Sequence, residues 1–226
     1  MLILGIDTSK TNHINISLAE DDKIIQTIEK ETKKTEETIN LVYDLFKDLA
    51  INPQSLQAIG VITGPGGYTG IRAGVAVAKT MSQLLEIPCV GFNKADLYIL
   101  SYPSESLLCP LVDVKRNEVY TCFAQKIINS TLSDLPVINY QINHKVIEIN
   151  ELLEELENFD GETIVLANEL DDKKEIFNNL INSKISFNYD FKINSKNVCN
   201  LTYKSILNGY DKGYDNIIPI YAREAV

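Results

Sequence analysis

An apolar run, Ala58-Ile59-Gly60-Val61-Ile62-Thr63, leads through Gly64-Pro65-Gly66-Gly67-Tyr68-Thr69-Gly70 into a segment dense in small and apolar residues up to Leu85. Four glycines and a proline within seven residues demand backbone angles and a closeness of approach that side chains forbid. Buried strand, tight turn and helix together specify an α/β unit whose helix folds back over a sheet. Such a turn can receive an anion at the helix N-terminus, or simply let helix and sheet pack closely. No Gly-Lys-Ser/Thr follows, so it is not a Walker A loop, and it lacks GxGxxG spacing.

The flanking residues complete the unit. Leu2 to Ile6 is an apolar run ending at Asp7, Ile14, Ile16 and Leu18 alternate with polar residues, and Ile24 to Ile28 follows an Asp21-Asp22 turn. This reads as a three-stranded meander. Thr35 is a candidate N-cap for a helix carrying Ile39, Val42, Tyr43, Phe46, Leu49 and Ala50 at helical spacing. A second helix is expected from Ile71 to Leu85, then a strand from Cys89 to Phe92 and a helix from Lys94 to Leu100.

Beyond Pro103-Ser104-Glu105-Ser106, the expected lobe boundary, Leu108–Val114 and Val119–Lys126 read as paired strands across Lys115-Arg116-Asn117. Further strands are expected within Val137–Ile149 and at Thr163–Ala167. Helices are expected at Glu151–Glu157, capped by Asn150, at Asp171–Asn182 and at Val198–Leu207, with an extended tail from Ile217 to Arg223. The Asn- and Lys-rich stretch from Asn178 to Asn200 reads as tolerated drift. The division is thus 1–103 and 104–226.

The 226 residues carry a formal net charge of −10, which opposes binding of a phosphate backbone by this chain alone. Any role at nucleic acid would then need a more basic partner; the bland alternative is that acidity serves solubility. Met1 runs straight into the first strand with no basic leader, and the apolar run around Ile71–Leu85 contains Arg72 and Lys79, so neither a signal peptide nor a membrane span is expected. Cys89, Cys109, Cys122 and Cys199 form no CxxC pair and read as free buried thiols of a reducing cytosol. His13 and His144 belong to no HxxxH or Cys/His motif, so no zinc or iron site is expected.

Three smaller features have competing readings. Asp7-Thr8-Ser9, directly after a strand, can hold a hydrated cation and offer N–H groups to phosphate, or can be an ordinary turn capped by Asp7. Gly70, Gly74 and Ala78 lie along one helical face, which suits close approach of another helix or of the chain's own sheet. Asp113 and Glu118 around Lys115-Arg116 suit acid–base work or a charged hairpin tip.

The Asp turn, strand order and glycine loop resemble the actin-like ATPase superfamily, which includes sugar kinases and Hsp70. Ile3-Leu4-Gly5-Ile6-Asp7-Thr8-Ser9 resembles the N-terminus of the TsaB (YeaZ) family. Gly64 to Arg72 is similar to that family's GPGSFTGLR signature, Asp113 to Tyr120 to its DARRxEVY segment, and Pro219-Ile220-Tyr221-Ala222-Arg223 to its PxYxR ending. Here Gly67-Tyr68 replaces Ser-Phe, and Thr35 to Leu41 lacks the usual His-Ser.

The resemblance implies an actin-like (ASKHA, ribonuclease H-like) two-lobe α/β fold with mixed sheets flanked by helices and a degenerate second lobe. It implies a cytoplasmic, non-catalytic subunit forming a heterodimer with a TsaD homologue, which transfers threonylcarbamoyl to N6 of adenosine 37 of tRNAs reading ANN codons. The ATPase TsaE joins the complex, tRNA is met only through it, and ATP or ADP and metal belong to the partner subunits. In that reading Asp7, Thr8, Ser9, Gly64, Pro65, Gly66, Gly67, Thr69 and Gly70 are a degenerate phosphate loop. Ile39, Val42, Tyr43, Phe46, Ile71, Gly74, Val75, Ala78 and Met81 form the partner interface, which could serve a homodimer when the chain is alone. From Leu107 onward only Gly161, Gly209 and Gly213 remain, never adjacent, so the adenosine clamp that a small actin-like kinase needs is missing.

Overall fold

The computed structural model describes residues 1–128, 135–177, 184–209 and 213–222. Two compact units divide the chain: Met1–Lys94 with Ile193–Tyr221, and Ala95–Asn129 with Pro136–Lys192.

In the first unit β1 (Leu2–Asp7), β2 (His13–Glu20), β3 (Lys23–Glu31), β4 (Ala58–Gly64) and β5 (Cys89–Asn93) form one sheet in the order β3-β2-β1-β4-β5. The first three are antiparallel, as a meander requires, and β4 and β5 run parallel to β1. Strand alternation assigns the two faces. Leu4, Ile6, Ile14, Ile16, Leu18, Ile59 and Val61 share a core with Leu41, Val42, Leu45 and Phe46 of α1 (Glu37–Asp48) and Ile71, Val75 and Ala78 of α2 (Tyr68–Leu85). The intervening positions face α6 (Ser195–Leu207), where Ile3, Ala19, Ala58 and Cys199 cluster. Covered on both faces, β4 is buried throughout, which is why its sequence is free of polar side chains up to Thr63.

The seam under α6 is narrow and partly polar. Ser195 shares a 2.6 Å hydrogen bond with Ser17 Oγ, and its N–H donates to Asn15 Oδ1 at 3.2 Å. A Cβ at Gly5 would collide with the Ser195 carbonyl and lie 2.7 Å from Cys199 Sγ. Asn194 and Asn197 close the start of α6 as a capping box. This end of the Asn-rich stretch is therefore structured rather than drift. Ile193–Tyr221 lies in the first unit, not in the second lobe where a division at 103/104 places it, because α6 supplies the sheet's second cover. The tail follows it: Ile217 joins the α1–α2 core, and Ile220 N–H donates to Thr63 O at 2.7 Å.

The second unit begins within α3 (Lys94–Ser101). Its sheet contains β6 (Leu107–Pro110), β7 (Val112–Asp113), β8 (Glu118–Ile127), β9 (Val137–Glu148), β10 (Thr163–Leu166) and β11 (Ile185–Asn188), in the order β11-β10-β6-β8-β7 with β9 on β8. Phe123, Val165 and Ile185 pack with Leu152 and Leu156 of α4 (Ile149–Asn158) and Phe177 of α5 (Lys174–Phe177). Lys115, Arg116 and Asn117 turn the chain between β7 and β8 with left-handed φ of 70°, 56° and 62°.

Several boundaries shift. Helix α1 is capped at Glu36 without a side-chain bond, and Thr35 instead gives its carbonyl to Thr38 Oγ at 2.7 Å. Helix α2 starts three residues early, at Tyr68, and α4 starts at Ile149, so Asn150 is not its cap. Residues 178–182 of the expected Asp171–Asn182 helix lie outside the described residues, and β11 had no sequence forecast.

Gly5→Ala forces a methyl into the α6 seam. It is expected to cost about 1–3 kcal/mol, read as a lowered urea midpoint with the slope unchanged.

Candidate functional site: the glycine loop and the outer helix faces

The strand-to-helix loop lies directly on the Asp7–Ser9 turn. Asp7 Oδ1 accepts from Ser9 N–H at 2.9 Å and Ser9 Oγ–H at 2.7 Å, so the carboxylate caps its own turn. Gly67 N–H donates to Ser9 O at 2.7 Å. A Cβ on Gly66 would strike Ser9 O, and one on Gly70 would strike Thr8 O. Gly64, at φ 120°, occupies a conformation that side chains rarely adopt, and its missing Cβ makes room for the Ile220 carbonyl. The loop's glycines are thus explained by backbone-on-backbone packing, and one of its N–H groups is consumed internally.

Beside the loop is a depression of about 240 Å³, lined by Thr8, Lys10, His13, Lys33, Thr69 and Gly70 among others. Its lining includes two lysines, the start of α2 and no carboxylate, so its electrostatics suit an anion rather than a metal cation. The only glycine of the second unit is Gly161, which leaves that unit without a Gly-Gly pair.

The stripe of small residues proves to face inward. A Cβ on Gly74 would collide with Thr8 Oγ1, and Ala78 is fully buried. Of the nine residues assigned to a partner interface, Val42, Phe46, Ile71, Gly74, Val75 and Ala78 are buried in the first unit, Met81 is half-buried, and Ile39 and Tyr43 are exposed. The six buried positions are corrected to core: an almost wholly apolar helix here serves its own sheet. What faces outward is Ile39 (48 % exposed) and Tyr43 (64 %) on α1, and Tyr68 (50 %) and Leu84 (77 %) on α2. Tyr68 and Leu84 were missed; sixteen residues apart on α2, they project about 160° from one another around the helix. Tyr68 also packs against Tyr221 of the tail, ring centroids 5.0 Å apart, and under the Arg72 guanidinium.

In the second unit, Asp113 accepts from Lys115 Nζ at 2.8 Å and lies 3.6 Å from Lys173 Nζ. Burial raises its carboxyl, but the Lys115 hydrogen bonds and the two lysine charges outweigh this and hold it below its ordinary value. That is the charged hairpin tip rather than an acid–base pair. Asp96, Cys122 and His144, far apart in sequence, converge as a set of groups able to hold a metal ion. Spacing motifs gave no sign of them.

All four cysteines are free and buried. Burial pushes the Cys89, Cys109 and Cys199 thiols up to about 12 from 9.0. Among the described residues no helix is long and apolar enough to cross a membrane.

Two mixed sheets flanked by helices, with a glycine loop packed against an N-terminal Asp turn, define an actin-like α/β protein. YeaZ from Pseudomonas aeruginosa superposes with a TM-score of 0.71 over 97% of this chain and 100% of its own, at 14% identity. A putative N-acetylmannosamine kinase from Listeria monocytogenes matches at 0.54 over 92% of this chain and 100% of its own, at 9% identity. The model of the family described as TsaD, tRNA N6-adenosine threonylcarbamoyltransferase, matches residues 27–182. The chain belongs to that family, and curated relatives that it resembles are TsaB proteins. The TsaB protein of Bacillus subtilis is 36% identical over 124 residues, covering 54% of each chain. That of Buchnera aphidicola is 26% identical over 137 residues, covering 58% of this chain and 63% of its own. The chain thus spans about half to two-thirds of the length of these relatives. Both are named as tRNA threonylcarbamoyladenosine biosynthesis proteins.

Gly74→Leu is expected to destabilise the protein by at least about 1–3 kcal/mol, whereas Leu84→Ser should stay within about 0.5 kcal/mol; chemical denaturation separates them. The native protein should react slowly with Ellman's reagent at neutral pH and yield four thiols on unfolding. The unfolded chain ionises its thiols near 9.0 and the fold holds Cys89, Cys109 and Cys199 protonated to about 12, so their contribution is complete below pH 9.0 and is lost as pH rises toward 12. Urea midpoints measured upward from neutral pH should fall over that window.

Proposed function

We propose that this chain is the non-catalytic subunit that pairs with and activates a TsaD homologue in threonylcarbamoyl transfer to N6 of adenosine 37 of tRNAs reading ANN codons. The observation that carries the reading is the set of outward apolar side chains, Ile39 and Tyr43 on α1 and Tyr68 and Leu84 on α2, on neighbouring helices of one sheet face. Large apolar side chains left exposed on adjacent helices suit a protein partner. The names of the curated relatives support the pathway.

The absence of chemistry in this subunit is argued from the loop. Asp7 is committed to its own turn, Gly67 N–H to Ser9 O, and the second unit has no paired glycines to clamp an adenosine. ATP or ADP and the catalytic metal are assigned to the partner subunits, TsaD and the TsaE ATPase. The chain works in the cytoplasm, and with a charge of −10 it meets tRNA only through the complex. Activation requires that docking favour the competent state of TsaD over its others. Without TsaD, the same face serves a homodimer.

Mixing the chain with its cognate TsaD homologue should give a stoichiometric complex in light scattering, and tRNA modification should need both. Tyr43→Glu with Leu84→Glu should lower association at least about tenfold, equivalent to 1.4 kcal/mol, and abolish modification, with the melting temperature unchanged. No association, together with ATP turnover by this chain alone, would replace the proposal by a small actin-like kinase.

A further inference from the structure

Asp96 on α3, Cys122 on β8 and His144 on β9 each offer a ligand atom, and these atoms lie within 4.8 Å of one another. Two irregularities in the β8–β9 ladder bring them together. Ala124 pairs with Tyr140 but Phe123 with Ile142, so β9 gains one residue. Phe123 pairs with Ile142 but Thr121 with Lys145, so Asn143 and His144 stand against Cys122 alone. Each added residue switches the face that the following side chains occupy. Ile142 and Ile147 therefore pack into the α4 core and Lys145 bonds Glu155, while Tyr140 and His144 reach Asp96.

The groups are held before any ligand arrives. Asp96 Oδ1 accepts from Tyr140 O–H at 2.6 Å and bonds His144 Nε2 at 2.8 Å. The His144 ring stacks on Tyr120, centroids 5.4 Å apart at 15°, and meets Tyr140 edge-on at 5.0 Å. The Asp96 and His144 side chains are 23 % and 25 % exposed, whereas Cys122 is fully buried, so the set leads from the surface to a sulfur. An Asp–His hydrogen bond needs no sulfur within reach. A thiolate, an imidazole and a carboxylate together are a donor set for zinc, with a fourth position left to water. Sulfur and imidazole disfavour magnesium and calcium. In a tetrahedral site, ligands at ~2.0–2.3 Å from zinc stand about 3.3–3.8 Å apart, so binding draws the wider-spaced groups together and opens the 2.8 Å Asp96–His144 contact.

We propose that Asp96, Cys122 and His144 form a zinc-type divalent-cation site that clips α3 to β8 and β9. On binding, the Cys122 thiol proton leaves to solvent and the sulfur lone pair bonds the cation. The imidazole bonds through one nitrogen and keeps its proton on the other. Asp96 exchanges its bond with His144 for the cation and retains the one from Tyr140, which positions the carboxylate.

The test is a Co2+ titration of the chelator-treated full chain, followed by Zn2+. A thiolate-to-cobalt charge-transfer band with tetrahedral d–d bands should saturate at one ion per chain and vanish when Zn2+ is added. Cys122→Ser should lose the charge-transfer band, and Tyr140→Phe should bind about 10- to 100-fold more weakly. Zn2+ should raise the melting temperature of the parent protein. Asp96→Asn, at a partly exposed position, replaces the cysteine variant if that variant fails to fold, and should bind at least about tenfold more weakly. No charge-transfer band from folded parent protein, or an undiminished band in Cys122→Ser, would overturn the proposal; the latter would assign the ion to another thiol.

Discussion

The contact between the backbone of Thr8–Ser9 and the glycines of the loop and α2 organises the first unit. Gly66, Gly70 and Gly74 approach that turn where any Cβ would collide, and Gly67 hydrogen-bonds it. Close approach fixes the height of α2 over the sheet, and with it which helical residues enter the core. Ile71, Val75 and Ala78 point inward for this reason, and Tyr68 and Leu84 outward. The same contact occupies turn groups that an anion could otherwise use.

Much of this unit was legible because its signals are local. The period of the meander, the apolar β4 and the glycine loop each specify structure within a few residues. The small-residue stripe shows where locality ends: Gly70, Gly74 and Ala78 suit a foreign helix and the chain's own strand equally, and only the position of Thr8 decides. Thr35 illustrates the same limit at smaller scale, since a good capping residue lies one position before the cap and gives its carbonyl to Thr38 instead of its hydroxyl.

The second unit was harder to read for a different reason. Its β9 breaks the two-residue period twice, so Tyr140, Ile142 and His144 do not share a face as alternation requires. No spacing rule joins Asp96, Cys122 and His144, because the shifts that align them arise from pairing with β8 and leave no mark in composition. Lys115, Arg116 and Asn117 were correctly placed at a tip, yet three successive left-handed residues without glycine were not foreseeable from their identities.

The return of Ile193–Tyr221 to the first unit has a consequence for synthesis. The sheet is encoded before the intervening unit, but the helix that covers its second face and the tail that joins its core are encoded after it. During translation the first unit must wait, with the Ile3–Ala19–Ala58 side uncovered, while the intervening unit is made. Its folding is therefore tied to long-range closure of the chain, which slows it relative to local contacts. The first unit thus reaches its finished surface only after Tyr221 has left the ribosome.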